Sequence, residues 1–152
     1  MLKVGDKAPD FSGIDDTGKA ISLKDFKGKK FVLYFYPQDN TETCTKEACE
    51  FRDAHPSFKR LGVPVIGVSP DSAKKHTNFK KKYDLPFPLI ADTDLTICNA
   101  YGVWGEKTTF GRTYMGVIRT TFVIDEKGKI AGIFSQVRVN GHTKEVLDAV
   151  KR

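Results

Sequence analysis

The sequence feature that most constrains the fold is an apolar run followed directly by a helical pattern that contains a cysteine. Residues 31–36 (Phe-Val-Leu-Tyr-Phe-Tyr) predict a buried strand, and Pro37 ends it. Residues 39–41 (Asp-Asn-Thr) offer capping side chains just before apolar residues recur at helical spacing. Cys44 is therefore predicted to lie in the first turn of a helix, at the carboxyl end of a buried strand. Backbone amides and the positive end of the helix dipole favour an anion there, in this case a thiolate.

The remaining patterns predict an α/β order of strands and helices. An N-terminal β-hairpin that turns at residues 15–18 is expected. Further strands or extended segments are expected at residues 63–68, 86–90, 120–125 and 129–134. Helices are expected at residues 41–61, 72–83, 94–101 and 142–151. Pro56 should kink or restart the first helix, and residues 102–116 should form loops around Trp104. Because no repeat or linker is present, the sequence predicts one domain over residues 1–152, with a central mixed β-sheet flanked by helices.

Composition limits the classes of function that the chain can have. With 152 residues the chain is long enough to bury a core, and no apolar run reaches the roughly 18 residues of a membrane span. The first residues lack an apolar core of signal-peptide length, so the cytoplasm is the expected location. Thiols stay reduced there, and three irregularly spaced cysteines do not predict a disulfide framework. A close pair such as Cys44 and Cys49 is then expected to be catalytic or metal-binding.

Metal and nucleic acid are both disfavoured as ligands. A zinc site needs four ligands at short spacing, whereas His55, His76 and His142 are scattered singly. The formal net charge is +6, and the densest basic stretch lies at residues 74–82. No zinc finger, helix-turn-helix or aromatic-interleaved basic strand accompanies that stretch, which we interpret as the solvated face of a helix. No cofactor is expected.

Residues 36–53 resemble the peroxiredoxin family. Pro37, Thr41 and Cys44 carry the signature Pro-x-x-x-Thr-x-x-Cys, and the additional Cys49 resembles the bacterioferritin comigratory protein, or peroxiredoxin Q, subfamily. The resemblance extends over nearly the whole chain and includes residues 4–11, 67–72, 101–107 and 119–125. It implies a thioredoxin-like fold, a monomer, and a peroxidase that reduces hydrogen peroxide and organic hydroperoxides.

The resemblance also implies a role for each residue of the motif. Cys44 resembles the peroxidatic cysteine, which attacks peroxide and becomes a sulfenic acid. Thr41 would hydrogen-bond the thiolate and the peroxide, and Arg119 would supply the cation. Pro37 would shield the nucleophile from water. Cys49 resembles the resolving cysteine, which forms an intramolecular disulfide that thioredoxin or a similar dithiol reduces.

The same residues each have an ordinary structural explanation. Thr41 is a good N-cap on any helix, and Pro37 would end a strand in many folds. Arg119 alone, just before a strand, has no special meaning. The combination of these three residues with Cys44 and Cys49 favours the catalytic interpretation.

Two other functions fit parts of the pattern. A thioredoxin-type disulfide oxidoreductase would have the same fold, but it needs Cys-x-x-Cys, and four residues separate Cys44 from Cys49. It would also leave Thr41 and Arg119 unexplained. A non-enzymatic basic binding module would make the cysteines incidental.

Three side chains outside the motif each have two interpretations. Cys98 is a second candidate for the resolving cysteine, but beside Ile97 on a short predicted helix a cysteine is more often a small buried hydrophobic residue. Trp104 and Phe110 either form an apolar rim for organic hydroperoxides or a reductant, or pack in the core.

The spacing of the cysteine pair predicts motion. Five residues along a helix give a rise of about 7.5 Å and place the two Cα atoms about 8.6 Å apart, with diverging side chains. A disulfide needs Cα atoms within about 7 Å. We therefore expect the first turns of the helix to unwind before Cys44 and Cys49 can bond.

One departure from the family pattern lies beside the cysteine. Glu42-Thr43 stand where the family usually carries Pro-Gly. A glutamate suits the first turn of a helix, but a carboxylate two residues from Cys44 should oppose thiolate formation. The departure concerns the reactivity of Cys44 more than its identity.

Overall fold

The computed structural model describes residues 2–135 and 141–151. The strands are β1 (Ser12–Asp15), β2 (Ala20–Ser22), β3 (Phe31–Phe35), β4 (Val65–Ser69), β5 (Leu89–Ala91), β6 (Trp104–Thr109), β7 (Arg112–Val117), β8 (Thr120–Ile124) and β9 (Ile130–Ser135). The helices are α1 (Glu42–Arg60), α2 (Ala73–Tyr83), α3 (Thr96–Ala100) and α4 (His142–Val150), and a short 3-10 helix covers Leu23–Phe26. In the part of the chain that the structure describes, no helix is both long and apolar enough to cross a membrane.

A mixed sheet of seven strands forms the centre of the fold, in the order β2-β1-β5-β4-β3-β8-β9. Strand β3 pairs in parallel with β4 and antiparallel with β8, and β4 pairs in parallel with β5. Strands β1 and β2 form the expected N-terminal hairpin, which joins the sheet through β5. The predicted fold, with a central mixed sheet and an N-terminal hairpin, is confirmed.

Side chains of β3 alternate between two hydrophobic layers, because successive residues of a strand point to opposite faces. Phe31, Leu33 and Phe35 pack on one face in the layer that contains α3. Val32 and Tyr34 pack on the other face, in the layer that contains buried residues of α1, α2 and α4. Helices therefore flank the sheet on both sides, and the helix with Cys44 and the helix with Cys98 lie on opposite faces.

The expectation of loops over residues 102–116 is wrong. Strands β6 and β7 form a separate two-stranded antiparallel sheet, paired from Trp104↔Val117 to Thr109↔Arg112. Its turn is Phe110-Gly111, with φ of 52° and 76°, and positive φ at both positions is what a two-residue hairpin turn of type I′ requires. Glycine and threonine indicated loops in the sequence, but threonine is also a good strand residue.

Helix α1 runs without interruption through Pro56, so the helix is not restarted there. Proline removes one backbone N–H and leaves one carbonyl without its helical partner. Pro56 itself is exposed, on the opposite side from the buried Phe51 and Phe58. Packing of the buried face therefore holds the helix together across the proline.

Candidate active site at the start of helix α1

Cys44 is the third residue of α1 and is 2% exposed. Thr41 is the N-cap, in an extended conformation, and its Oγ1 accepts a hydrogen bond from the Cys44 N–H at 3.4 Å. The Thr41 hydroxyl in turn donates to the carbonyl of Gln38 at 3.3 Å. The predicted position of Cys44, in the first helical turn after β3, is confirmed.

Arg119 brings a cation to this sulfur from the residues just before β8, the strand next to β3 in the sheet. It lies in the link between β7 and β8, and the pairing of Thr120 with Phe35 places it where β3 ends and the chain turns toward α1. Its Nη2 lies 3.2 Å from Cys44 Sγ, and its Nη1 pairs with Glu47 Oε1. Burial opposes the charge of Arg119, but Glu47 and Cys44 raise the pKa of the guanidinium above its usual value.

The other predicted residues lie near the same helix end. Pro37 follows β3 and is half-buried, and Cys49 is half-buried on α1. All three cysteines of the chain are free thiols. Because α1 is intact from Glu42 onward, Cys44 and Cys49 have the helical separation of about 8.6 Å that prevents a disulfide.

Glu47 is a buried residue of the site that the sequence analysis missed. It is 0% exposed, and its Oε1 pairs with Arg119. Its Oε2 finds no hydrogen-bond partner among the described residues and lies 3.8 Å from His142 Nε2. Burial raises the pKa of Glu47 to about 7, against the effect of Arg119 and with a smaller contribution from Glu50. A charged residue one turn after Cys44, within the apolar stripe of the helix, was the signal available in the sequence.

His142, at the start of α4, lies behind Glu47 and is 1% exposed. Its Nε2 is hydrogen-bonded to Thr121 Oγ1 at 2.8 Å. Burial lowers the pKa of His142 to about 4, and the nearby Arg119 acts in the same direction. His142 is therefore neutral near pH 7, and Arg119 is the cation that contacts both Glu47 and Cys44.

A buried polar network fixes the segment between β3 and α1. Asp39 accepts a hydrogen bond from the Tyr36 hydroxyl at 2.6 Å, and its other oxygen contacts His76 Nδ1 at 2.6 Å. The Asp39 N–H and the Ser69 hydroxyl both donate to Asp71 Oδ2 at 2.7 Å. These contacts tie the start of the site to β4 and α2, and the sequence analysis did not predict them.

Three members of this network have the ligand types of a metal site. Asp39, Asp71 and His76 each offer a ligand atom, and these atoms lie within 4.8 Å of one another. The same residues are engaged in the hydrogen bonds of the network, and Asp39 and His76 face each other directly. We interpret the group as structural.

A second attachment lies further along α1. Arg52 Nη1 donates to the carbonyl of Tyr83 at the end of α2, at 2.9 Å. Both Cys44 and Cys49 lie between this contact and the network at Asp39. The segment with the two cysteines is thus held at each end.

The structure separates the two aromatic side chains that were candidates for a rim. Trp104 packs against the layer on the α3 side of the sheet. Phe110 is fully exposed at the tip of the β6–β7 hairpin. Six residues of extended strand span about 20 Å, so the two rings do not form one rim.

Comparison with known proteins identifies the family. The family model "AhpC/TSA family" matches residues 4–133. The Peroxiredoxin Bcp of Bacillus subtilis is 47% identical over 99% of this chain and 96% of its own length.

Solved structures agree with this result. PrxQ of Xylella fastidiosa, solved as a mutant, has a TM-score of 0.93 at 35% identity and covers 99% of this chain and 96% of its own. The Bacterioferritin Comigratory Protein of Xanthomonas campestris, whose alkyl peroxide reduction activity was studied in complex structures, has a TM-score of 0.88 at 35% identity and covers 93% and 90%. The chain belongs to the AhpC/TSA family, as a peroxiredoxin of the bacterioferritin comigratory protein (peroxiredoxin Q) type. It is a thiol peroxidase with a thioredoxin-like fold.

Proposed function

We propose that Cys44 is the peroxidatic nucleophile of this peroxiredoxin and that Cys49 resolves its oxidised form. The contact of 3.2 Å between Arg119 Nη2 and Cys44 Sγ, at the beginning of a helix, is the observation that supports the proposal most directly. The thiolate is the nucleophilic form of cysteine, and a cation together with a helix N-terminus stabilises it. Substrates are hydrogen peroxide and organic hydroperoxides, the latter because the Xanthomonas campestris relative acts on alkyl peroxides.

The first chemical step is attack of the Cys44 thiolate on the terminal oxygen of the peroxide. An S–O bond forms as the O–O bond breaks, and the electron pair of the O–O bond leaves with the hydroxide or alkoxide. The sulfur becomes a sulfenic acid that keeps the proton of the attacked oxygen, and the leaving group takes a proton from solvent. Arg119 stabilises the developing negative charge, because its donors are already in place before the reaction.

Thr41 and Pro37 assist this step in the proposal. The Thr41 hydroxyl is oriented by Gln38 in the resting site, and it turns to hydrogen-bond the thiolate and the bound peroxide. Pro37 lies just before the capping segment, and its ring shields the sulfur from water. Both residues act on the reacting atoms without gaining or losing a proton.

The second step is condensation of the sulfenic acid with the Cys49 thiol, which forms a disulfide and releases water. The intact α1 keeps the two residues apart, so the first turns of the helix must unwind. Amide hydrogen exchange over residues 43–51 should therefore be faster in the disulfide form than in the reduced form. Equal protection in the two forms would contradict the unwinding.

A dithiol then reduces the disulfide by thiol–disulfide exchange and returns the enzyme to its resting state. We propose thioredoxin as this reductant and the cytoplasm as the location, since reduced dithiols are maintained there. The proposed working unit is the monomer, because both cysteines belong to one helix.

Peroxide-dependent oxidation of reduced thioredoxin tests the proposal. Wild type and Cys98→Ser should be active, Cys44→Ser inactive, and Cys49→Ser limited to a single turnover that ends in a sulfenic acid visible by mass spectrometry. Activity in Cys44→Ser would contradict the assignment of the nucleophile. Loss of turnover in Cys98→Ser with full activity in Cys49→Ser would make Cys98 the resolving cysteine.

A further inference from the structure

We propose that Glu47 and Cys44 share one proton across the guanidinium of Arg119, so that Glu47 sets the pH range in which Cys44 is a thiolate. The inference rests on the proposed function only in taking Cys44 as the reacting cysteine. Glu47 does not touch the peroxide in this arrangement. It acts through Arg119 and is a positioning residue whose own proton matters.

The buried site holds two acidic groups and one cation. Arg119 uses one nitrogen for Glu47 Oε1 and the other for Cys44 Sγ. Glu47 is 0% and Cys44 2% exposed, so neither anion would be well hydrated. A carboxylate and a thiolate against one cation leave an uncompensated buried negative charge, which is costly in free energy. Retaining one proton on the pair removes that cost.

Glu47 has a carboxylate oxygen that can hold this proton. Its Oε1 is engaged by Arg119, whereas its Oε2 lacks a hydrogen-bond partner within residues 2–135 and 141–151. An unpaired buried carboxylate oxygen is unfavourable, and protonation of that oxygen neutralises it without disturbing the contact to Arg119. Burial raises the pKa of Glu47 to about 7, so both protonation states are populated near neutral pH.

Among residues 2–135 and 141–151, the neighbours of Glu47 do not supply a second cation. His142 on α4 lies 3.8 Å from Oε2, and burial keeps it neutral near pH 7. Tyr34 on β3 also stays neutral, since burial raises its pKa well above the usual value. Glu50, one turn further along α1, adds negative potential. Of these groups and Cys44, Arg119 alone is positive.

Competition for one cation has a definite consequence. When Glu47 is protonated, the guanidinium faces the thiolate of Cys44 alone, and thiolate formation is favoured. When Glu47 is ionised, it neutralises Arg119 and the thiol keeps its proton more strongly. The two groups then ionise in two steps that belong to the pair rather than to either residue. By linkage, each group must shift the ionisation of the other by the same factor.

The test measures the ultraviolet absorbance of the Cys44 thiolate against pH in a Cys49→Ser/Cys98→Ser background. With Glu47, the absorbance should rise in two steps. Glu47→Gln keeps an acceptor for Arg119 but removes the competing charge, so the thiolate should form in one step, at a pH lower by about one unit or more. Glu42→Gln is the matched control, because Glu42 is exposed, close to Cys44 on the same helix, and outside the ion pair with Arg119. It should keep the two steps and shift them less than Glu47→Gln does, because the effect of an exposed carboxylate is screened by solvent.

Three outcomes would overturn the proposal. One is a Glu47→Gln titration identical to that with Glu47, and another is an equal shift in the Glu42→Gln control. The third is thiolate formation at a higher pH in Glu47→Gln, which would mean that Glu47 only anchors Arg119. None of these readouts requires peroxide, so a failure of the peroxidase assignment would be seen separately, in the assay with thioredoxin.

A reciprocal measurement does not depend on the folding of Glu47→Gln. The carboxyl carbon resonance of Glu47, in protein labelled with carbon-13 glutamate, reports the ionisation of this residue directly. In Cys44→Ser the competing thiolate is absent. Glu47 should then ionise at a lower pH, by as many pH units as thiolate formation shifts in Glu47→Gln. An unchanged Glu47 titration in Cys44→Ser would overturn the proposal even if the glutamine variant were misfolded.

Discussion

The two buried cysteines, Cys44 and Cys98, occupy equivalent positions on opposite faces of the sheet. Each is the third residue of a helix that follows a strand of the parallel part of the sheet, β3 for Cys44 and β5 for Cys98. Both are almost fully buried, at 2% and 0% exposed. Their electrostatic surroundings are opposite. Cys44 faces the guanidinium of Arg119, whereas the Cys98 N–H donates to the carboxylate of Asp92 at 2.8 Å.

This difference predicts that a helix N-terminus does not by itself make a reactive thiol. At α3 the amides of Ile97 and Cys98 both donate to Asp92, so a carboxylate already occupies the place that an anion would take. Burial raises the pKa of the Cys98 thiol, and Asp92 adds to the effect. If Cys44 is the nucleophile, as proposed, the charge of the partner group rather than the position in the helix distinguishes it from Cys98.

Removing the cation on the Cys44 side should have the largest effect. Arg119→Gln deprives the thiolate and the transition state of their positive partner, and we expect the rate constant for peroxide to fall by about 100-fold to 1000-fold. Stopped-flow oxidation by hydrogen peroxide measures the rate constant. Arg112→Gln, an exposed arginine of β7, is the control and should react at the wild-type rate. A drop of less than about 10-fold in Arg119→Gln would show that the helix terminus is sufficient.

Removing the anion on the Cys98 side should make that thiol more reactive. In Asp92→Asn the negative charge is lost, and we expect alkylation of Cys98 to speed up by about 10-fold while remaining far slower than that of Cys44. Peptide mass spectrometry after timed exposure to iodoacetamide follows both residues. Asp94→Asn, at an exposed position whose carboxylate accepts from the Thr96 N–H at the start of α3, is the control. Equal rates in both variants and wild type would mean that burial alone keeps Cys98 inert.

The Cys44 side also carries two buried titratable groups with opposite effects on stability. The pKa of Glu47 is raised to about 7 in the folded protein. Its contribution to the free energy of unfolding is therefore present at low pH and is lost as pH rises from about 4.5 to 7. The pKa of His142 is lowered to about 4, so its contribution is present above about 6.5 and is lost as pH falls toward 4. The two contributions largely cancel in the wild type.

A single substitution removes one of the two contributions, so the free energy of unfolding of the variant should depend on pH differently from that of the wild type. Between pH 4.5 and 7, we expect the stability of Glu47→Gln to rise relative to wild type by about 2 kcal/mol. His142→Gln should instead gain relative to wild type as pH falls through the same range, by a similar amount. Urea denaturation at several pH values gives the free energies of unfolding. Curves parallel to that of wild type would contradict the assignment of both groups.

The smallest expected effect concerns the helix cap at Cys44. Thr41→Ala removes the acceptor for the Cys44 N–H and should cost about 1 kcal/mol of stability. Ser72→Ala removes the equivalent cap of α2, where Ser72 accepts from the Lys75 N–H, and is a matched control. Both variants should lose similar stability, but only Thr41→Ala should slow the reaction with peroxide. Equal peroxide rates would reduce Thr41 to a structural cap.

The sequence predicted local features of the site better than features that depend on distant contacts. The strand, its proline stop and the helix start at Cys44 follow from adjacent residues, and the structure confirms them. Arg119 could be named only through the family resemblance, because its approach to Cys44 depends on the pairing of β8 with β3. Glu47 and His142 were missed for the same reason. The position of Glu47 in the apolar stripe of α1 was visible in the sequence, but its contacts with Arg119 and His142 depend on residues that are distant along the chain. The β6–β7 hairpin was missed because its glycine and threonine residues indicated loops, and because its turn places Phe110 at positive φ, where glycine or asparagine is expected.

The two attachments on either side of the cysteines should limit how many residues change conformation when Cys44 is oxidised. The network at Asp39 holds the chain before α1, and the contact of Arg52 with Tyr83 holds it after Cys49. The proposed unwinding is thus confined to residues 40–51, with both ends fixed to parts of the fold that keep their shape. A short segment with fixed ends has few conformations to search, so the two sulfurs meet at a high effective concentration. If the proposed disulfide forms, we expect the rest of the protein to keep the same surface in both redox states, so that a reductant would recognise the oxidised form through this segment.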